Sequence, residues 1–139
     1  VCSSDLDRGH HVIGIDAARN LLLAGARATA MGRAPVPVAN ASAGRLPFAD
    51  ASFDYAYAVG VLHHLGGPEA QADALREVRR VLAPGSLLLV HETNPRNPLY
   101  RLYMGYVFPT LRSSDEGVEH WLEPGVWAGI GGFELRSTR

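Results

Sequence analysis

The chain has 139 residues, 47% hydrophobic and 19% charged, with a formal net charge of −1. That is one domain's worth of ordinary globular protein, with no charge excess to draw it to nucleic acid or to an anionic membrane surface. No apolar run approaches the roughly 20 residues that a bilayer span needs, and the single cysteine, Cys2, excludes an intrachain disulfide framework and a thiolate metal cluster.

All thirteen residues of the Lys and Arg class are arginine. The lack of lysine removes Schiff-base chemistry, the phosphate-binding lysine of a P-loop and the Tyr-x-x-x-Lys pair of short-chain dehydrogenases. The N-terminus has no charged region leading into a long apolar stretch, so no secretory leader is read and a cytoplasmic location is expected. Residues 1–6, VCSSDL, fit neither a strand nor a helix template and read as a non-native segment outside the fold. The remainder divides into a core, residues 7–93, and an aromatic-rich tail, residues 94–139.

In chain order, HVIGID (residues 11–16) is a short apolar run with β-branched residues, the pattern of a buried parallel strand. Asp16 ends it and can cap a helix over residues 17–31, where Leu22, Ala26 and Thr29 recur at helical spacing and Gly32 closes the run. VPVANAS (residues 36–42) is the next strand, and Pro35 and Pro37 suit a sheet edge. A loop over residues 43–52 leads to a strand over residues 53–60. Gly66, Gly67 and Pro68 break the chain, with Pro68 placed to open a helix reaching residue 82. Leu75, Val78 and Leu82 share one face of that helix, while Arg76, Glu77, Arg79 and Arg80 are turned to solvent. Pro84-Gly85 is a stop and turn signal, and residues 86–91 form a strongly apolar strand. The alternation is β-α-β-loop-β-α-β, which predicts a parallel sheet with helices on its faces.

Beyond Asn94 lie seven of the eleven aromatic residues. Leu99, Leu102, Tyr103, Tyr106 and Val107 suit an amphipathic helix ended by Pro109. Gly131-Gly132-Phe133 reads as a turn into a last strand. This tail is expected to close over a small substrate, or else to pack as ordinary core. Gly129-Ile130-Gly131-Gly132 precedes a strand instead of joining strand to helix, so it cannot cradle a cofactor. The six histidines have no metal-site spacing, and no metal is expected.

Three places can carry chemistry. Asp16 stands where a carboxylate at a strand end can accept two hydrogen bonds from a ribose, although a plain helix cap uses the same residue. Leu62-His63-His64-Leu65 follows the third strand; either His63 or His64 could accept a proton, or both could only orient the backbone. Glu92 lies at the carboxyl edge of the fourth strand, where ligands enter such sheets, although an exposed carboxylate there is more often just solvated.

The stretch RLPFADASFDYAYAVGVLHHL (residues 45–65), with HVIGID before it and VLAPGSLLLV (residues 81–90) after it, resembles the small-molecule branch of the class I S-adenosylmethionine-dependent methyltransferases. The resemblance covers about residues 9–90. It implies a Rossmann-like, doubly wound, mostly parallel α/β sheet that lacks the family's Gly-rich first strand and its last strand, hence a fragment expected to be inactive alone. It also implies S-adenosylmethionine as cofactor, with contacts at Asp16, Ala17, Ser42, Ala43, Ala58, Val59 and His63, and a small-molecule methyl acceptor. Ser42 stands where the family often has an adenine-binding acid, and Asn40 is the other polar residue able to serve there. Asn94-Pro95 lies one strand too late to be the Asn-Pro-Pro-Tyr element of amino-group methyltransferases. Two other readings stay open: a nicotinamide-dependent oxidoreductase, supported by Asp16 and the fold, and a non-catalytic scaffold of methyltransferase shape.

Overall fold

The computed structural model describes residues 10–18, 37–92, 96–107 and 133, apart from the side chains of Met104 and Val107. The helix expected over residues 17–31 and the turn and strand at the C-terminus lie outside the described residues, except for Ala17, Ala18 and Phe133. The chain falls into two compact units, Val1–Phe48 and Ala49–Arg139.

In the first unit, β1 (Gly14–Asp16) pairs in parallel with β2 (Val38–Asn40), Gly14 beside Val38 and Asp16 beside Asn40. Both strands are shorter than the apolar runs that encode them. A hydrogen bond from Gly14 N–H to Pro37 O (2.8 Å) opens the pair, and one from Ala41 N–H to Asp16 O (3.0 Å) closes it. Proline at 37 is tolerated because it offers only its carbonyl to this ladder. Leu46 is the buried anchor of the Leu-Pro-Phe turn that follows.

The second unit is built on β3 (Phe53–Val59) and β4 (Leu82–His91), parallel from Tyr55 beside Leu87 to Val59 beside His91. Between them runs α1 (Pro68–Val81), opened by Gly67 at φ +107° with Pro68 in the first turn. Proline belongs there because the first N–H groups of a helix lack partners inside it. Gln71, Ala74, Leu75 and Val81 are the buried positions of α1, and with Leu62 and Leu82 they form the core of this unit. Each fully buried leucine or valine contributes about 1.5–3 kcal/mol relative to an exposed one.

Three details depart from the sequence expectation. The helix stops at Val81, and Leu82 already belongs to β4. The Pro84-Gly85 turn therefore sits within the strand as a bulge: two steps along β3, from Phe53 to Tyr55, face five along β4, from Leu82 to Leu87. Gly85 takes φ +83° at that bulge, a conformation that favours glycine. Last, Arg79, Arg80 and Glu77 are half-buried instead of turned to solvent.

The loop before β3 explains the last point. Ala51 N–H donates to Arg80 O (2.9 Å) and Ser52 N–H to Val81 O (2.8 Å), so this loop satisfies carbonyls at the end of α1. It brings Asp50 within 2.7 Å of Arg80, which also pairs with Glu77 at 2.9 Å. These hydrogen bonds, Glu77 first and Asp50 second, raise the pKa of the Arg80 guanidinium above its ordinary value.

Parallel sheets usually bury both faces. Here α1 covers the second unit on one side, while Leu87 and Leu89 of β4 and Val59 of β3 remain exposed. Farther along, Asn97 caps α2 (Pro98–Leu102) by accepting from Leu99 N–H (3.0 Å) and Tyr100 N–H (3.4 Å). A π-helical turn, Tyr103–Val107, continues it. Leu99, Leu102, Tyr103 and Tyr106 are exposed along this segment. No helix among the described residues is long and apolar enough to cross a membrane.

Candidate functional site

The expected site residues fall into two separate constellations, one at each parallel pair's carboxyl end.

In the first unit, Asp16 is exposed and its Oδ1 accepts a hydrogen bond from Ala18 N–H at 2.8 Å. This is a contact within the chain leaving β1. It uses one carboxylate oxygen; among the described residues Oδ2 has no partner. Asn40 is held differently. Its Nδ2 donates to Asp16 O (3.0 Å) and to Ala17 O (2.9 Å), tying the end of β2 to the chain leaving β1. This clamp was not foreseen; the available signal was a doubly hydrogen-bonding amide at a strand end, across from an acid. Ser42 and Arg45 form an antiparallel bridge around a tight turn containing Ala43 and Gly44. The Ser42 hydroxyl accepts from Gly44 N–H at 3.3 Å.

In the second unit, β3 ends at Val59 and Gly60 turns the chain at φ +62°. A Cβ at 60 would lie 3.8 Å from His63 Cε1, an ordinary contact, so the backbone conformation rather than space selects glycine. The turn Leu62–His64 follows as a single 3₁₀ helix. Ala58 is half-buried in the last part of β3, Val59 is exposed, and His64 is exposed with its ring centroid 4.0 Å from that of His63.

Glu92 organises this turn. One oxygen, Oε1, accepts from Val61 N–H (3.0 Å) and Leu62 N–H (2.8 Å). The other, Oε2, lies 2.5 Å from Nδ1 of His63. Both side chains are only 11% exposed. The expectation that Glu92 is an exposed, solvated carboxylate is therefore corrected. The start of a short helix leaves N–H groups without partners, and a carboxylate arriving from β4 satisfies them while reaching the imidazole.

Behind the turn, the buried Gln71 of α1 donates from Nε2 to Leu62 O at 3.2 Å. Sequence reasoning missed Gln71. Its signal was position: it precedes Ala74 and Leu75 by three and four residues, on the apolar stripe, where a polar side chain needs a buried partner. Glu92 and Gln71 together hold residues 61–63. Among the described residues no group of three or more His, Cys, Asp or Glu side chains could hold a metal ion.

Comparison with known proteins gives a consistent family. A family model described as a methyltransferase domain matches residues 2–90. A demethylmenaquinone methyltransferase of Staphylococcus saprophyticus is 34% identical over 127 residues, covering 83% of this chain and 52% of the relative. The chain thus spans about half the length of that relative. The crystal structure of an S-adenosylmethionine-dependent methyltransferase from Thermotoga maritima superposes with a TM-score of 0.66, covering 91% of this chain and 55% of the other. At 18% identity that likeness speaks for the fold alone. The 4+2 cyclase SpnF is also similar, with a TM-score of 0.53 and 31% identity over 59% of this chain and 30% of its own.

Proposed function

This chain belongs to the class I S-adenosylmethionine-dependent methyltransferase family, and from that premise we propose that its parent protein transfers a methyl group from S-adenosylmethionine to a small-molecule acceptor. The observation that carries the reading is the family match across residues 2–90, which includes every candidate residue of both constellations except Glu92.

The pairings fit as well. In a doubly wound sheet of strand order 3-2-1-4-5, strands 2 and 3 are neighbours, as are strands 4 and 5. Those are the two pairs present here, β1 with β2 and β3 with β4. On this reading the family's Gly-rich first strand and its last strand belong to parts of the parent not represented in these 139 residues. The fragment alone is then expected to bind cofactor weakly and to be inactive.

The residues suit the cofactor's chemistry. When bound, S-adenosylmethionine supplies an electrophilic methyl group on a sulfonium. Asp16 is exposed at the end of β1 and its Oδ2 is unengaged among the described residues, so it can accept from a ribose hydroxyl without giving up its bond to Ala18. Ala17 borders it. Ser42 and Ala43 are assigned to the adenine, with the Ser42 hydroxyl in place of the family's acid. Asn40 has its amide hydrogens committed to Asp16 O and Ala17 O, which suits it better to bracing this loop than to replacing that acid. In the second unit, Ala58, Val59 and His63 stand at the carboxyl end of β3, where the family contacts its cofactor. The protein's contribution to transfer is orientation of acceptor and donor, the main source of rate in a single displacement.

A second reading rests on the similarity to SpnF. A fold of this kind can carry the name of a cyclase, so the parent could shape a substrate without methylating it. Calorimetry with S-adenosylmethionine separates the two. The sample is the chain extended by its own upstream coding sequence, alongside its Asp16→Ala variant. Binding by the extended chain and its loss in the variant are the expected results. A folded extended chain that binds no S-adenosylmethionine would overturn the methyl-transfer reading.

A further inference from the structure

We infer that Asn40 is a positioning residue for Asp16: through the rigid peptide joining Ala17 to Ala18, its side-chain amide sets which way the carboxylate faces. The inference rests on the methyl-transfer reading for the identity of the ligand, a nucleoside with both ribose hydroxyls free.

The side chain of Asn40 can be oriented in only one way. Its partners, Asp16 O at 3.0 Å and Ala17 O at 2.9 Å, are carbonyl oxygens and can only accept. The group facing them is therefore the NH₂, and both of its hydrogens are used. Strand register places it there, because Asn40 lies beside Asp16 at the last rung of the β1–β2 pair. Asp16 O also accepts from Ala41 N–H at 3.0 Å, so it has a backbone partner whatever Asn40 does. Ala17 O is different. Among the described residues Asn40 alone holds it.

That second bond reaches the carboxylate. A peptide unit is planar, and in its trans form the C=O and N–H point in opposite directions. No peptide bond among the described residues is cis, so turning Ala17 O towards Asn40 turns Ala18 N–H away from it. Ala18 N–H is the group from which Asp16 Oδ1 accepts, at 2.8 Å. One rigid plane thus links an amide at the end of β2 to the acid at the end of β1. With Oδ1 held by Ala18, the carboxylate has a fixed direction and Oδ2 is the oxygen presented to a ligand.

Asp16, Ala17 and Ala18 are all exposed, so no packing holds this segment in place of the clamp. Its ordering is complete before a ligand arrives, and a ribose meeting the acid does not have to supply it. Asn40 acts through Asp16, and its effect on binding should be confined to the part of the ligand that Asp16 meets.

The test is calorimetry on the chain extended by its own upstream coding sequence, as wild type and as Asn40→Ala. Two probes are compared, S-adenosylhomocysteine and its analogue lacking both ribose hydroxyls. Asn40→Ala is expected to bind the first about tenfold more weakly, the order carried by one hydrogen bond to a charged group, and the second as the wild type does. A clamp that only stiffens the fold would weaken both probes by the same factor. Equal weakening, no weakening, or a wild type that binds the two probes equally well overturns the inference. Amide hydrogen exchange without ligand gives a second readout. In Asn40→Ala the exchange of Ala18 N–H is expected to quicken more than that of Gly14 N–H, which donates to Pro37 O at the other end of the strand pair. Equal change at the two amides overturns the inference. A wild-type extended chain that binds neither probe sinks the methyl-transfer reading, and exchange at Ala18 then decides separately whether Asn40 positions Asp16.

Discussion

Asp16 ends β1 and Glu92 immediately follows β4, so each unit carries an acid at the carboxyl end of a parallel strand pair. They are held in different ways. Among the described residues the exposed Asp16 carboxylate bonds only to Ala18 N–H, two residues on, whereas the Glu92 carboxylate is largely buried and bonds to residues 29 to 31 positions away. An acid satisfied locally keeps an oxygen for a ligand. An acid satisfied at long range belongs to the framework, and its substitution should be felt there first. Position at a strand end is therefore not enough to tell a ligand-binding carboxylate from a positioning one; the sequence distance to its donors is the better guide.

The comparison can be broken by measurement. The largest effect is expected at Leu75→Ala, which empties a site only 3% exposed beneath the second unit. About 2–5 kcal/mol should be lost, read as a fall in the urea midpoint of that unit. Glu92→Ala comes next. It strands two amides and an imidazole, at a cost of about 1–3 kcal/mol. Asp16→Ala removes one exposed local hydrogen bond and should cost about 0.5–1 kcal/mol, while abolishing cofactor binding in the extended chain. If Asp16→Ala proves the more destabilising of the two acids, the contrast drawn between them is wrong.

Smaller effects sharpen the picture within each unit. Asn40→Ala should loosen the first unit by about 0.5–1.5 kcal/mol, visible as faster exchange of the Ala41 amide. Ala51 holds φ +51° in the loop that closes α1, so Ala51→Gly should raise the melting temperature, by the equivalent of a few tenths to about 1 kcal/mol. Arg80→Ala should give the smallest change. Its partner Asp50 is exposed while its pair with Glu77 is half-buried, so the difference from wild type should shrink in ~1 M salt without vanishing.

Much of the fold could be read from the chain because its signals are local. Gly67-Pro68 opens α1, and the apolar runs locate β1 to β4 to within a few residues. The boundary at Val81 and Leu82 could not be read, because both residues are apolar and one heptad-like stripe runs straight through them. The Pro84-Gly85 pair reads as a stop and turn before the strand, yet it shapes a bulge within it, since only the partner strand reveals that pairing begins earlier. The candidate residues at 16, 42, 63 and 92 were visible as chemistry at strand ends. What they touch was not. Asn40 and Gln71 serve carbonyls 9 to 24 residues away, and no periodicity records such a partnership.

The long reach of Glu92 also sets an order of events. Its three hydrogen bonds close loops of about thirty residues, so they form only after β4 has found β3. The turn around His63 is then among the last parts of the second unit to become fixed during folding, after α1 and the strand pairing that bring its acid into place. Substitutions at Glu92 should accordingly speed unfolding while leaving the folding rate almost unchanged, the kinetic mark of a contact absent from the transition state.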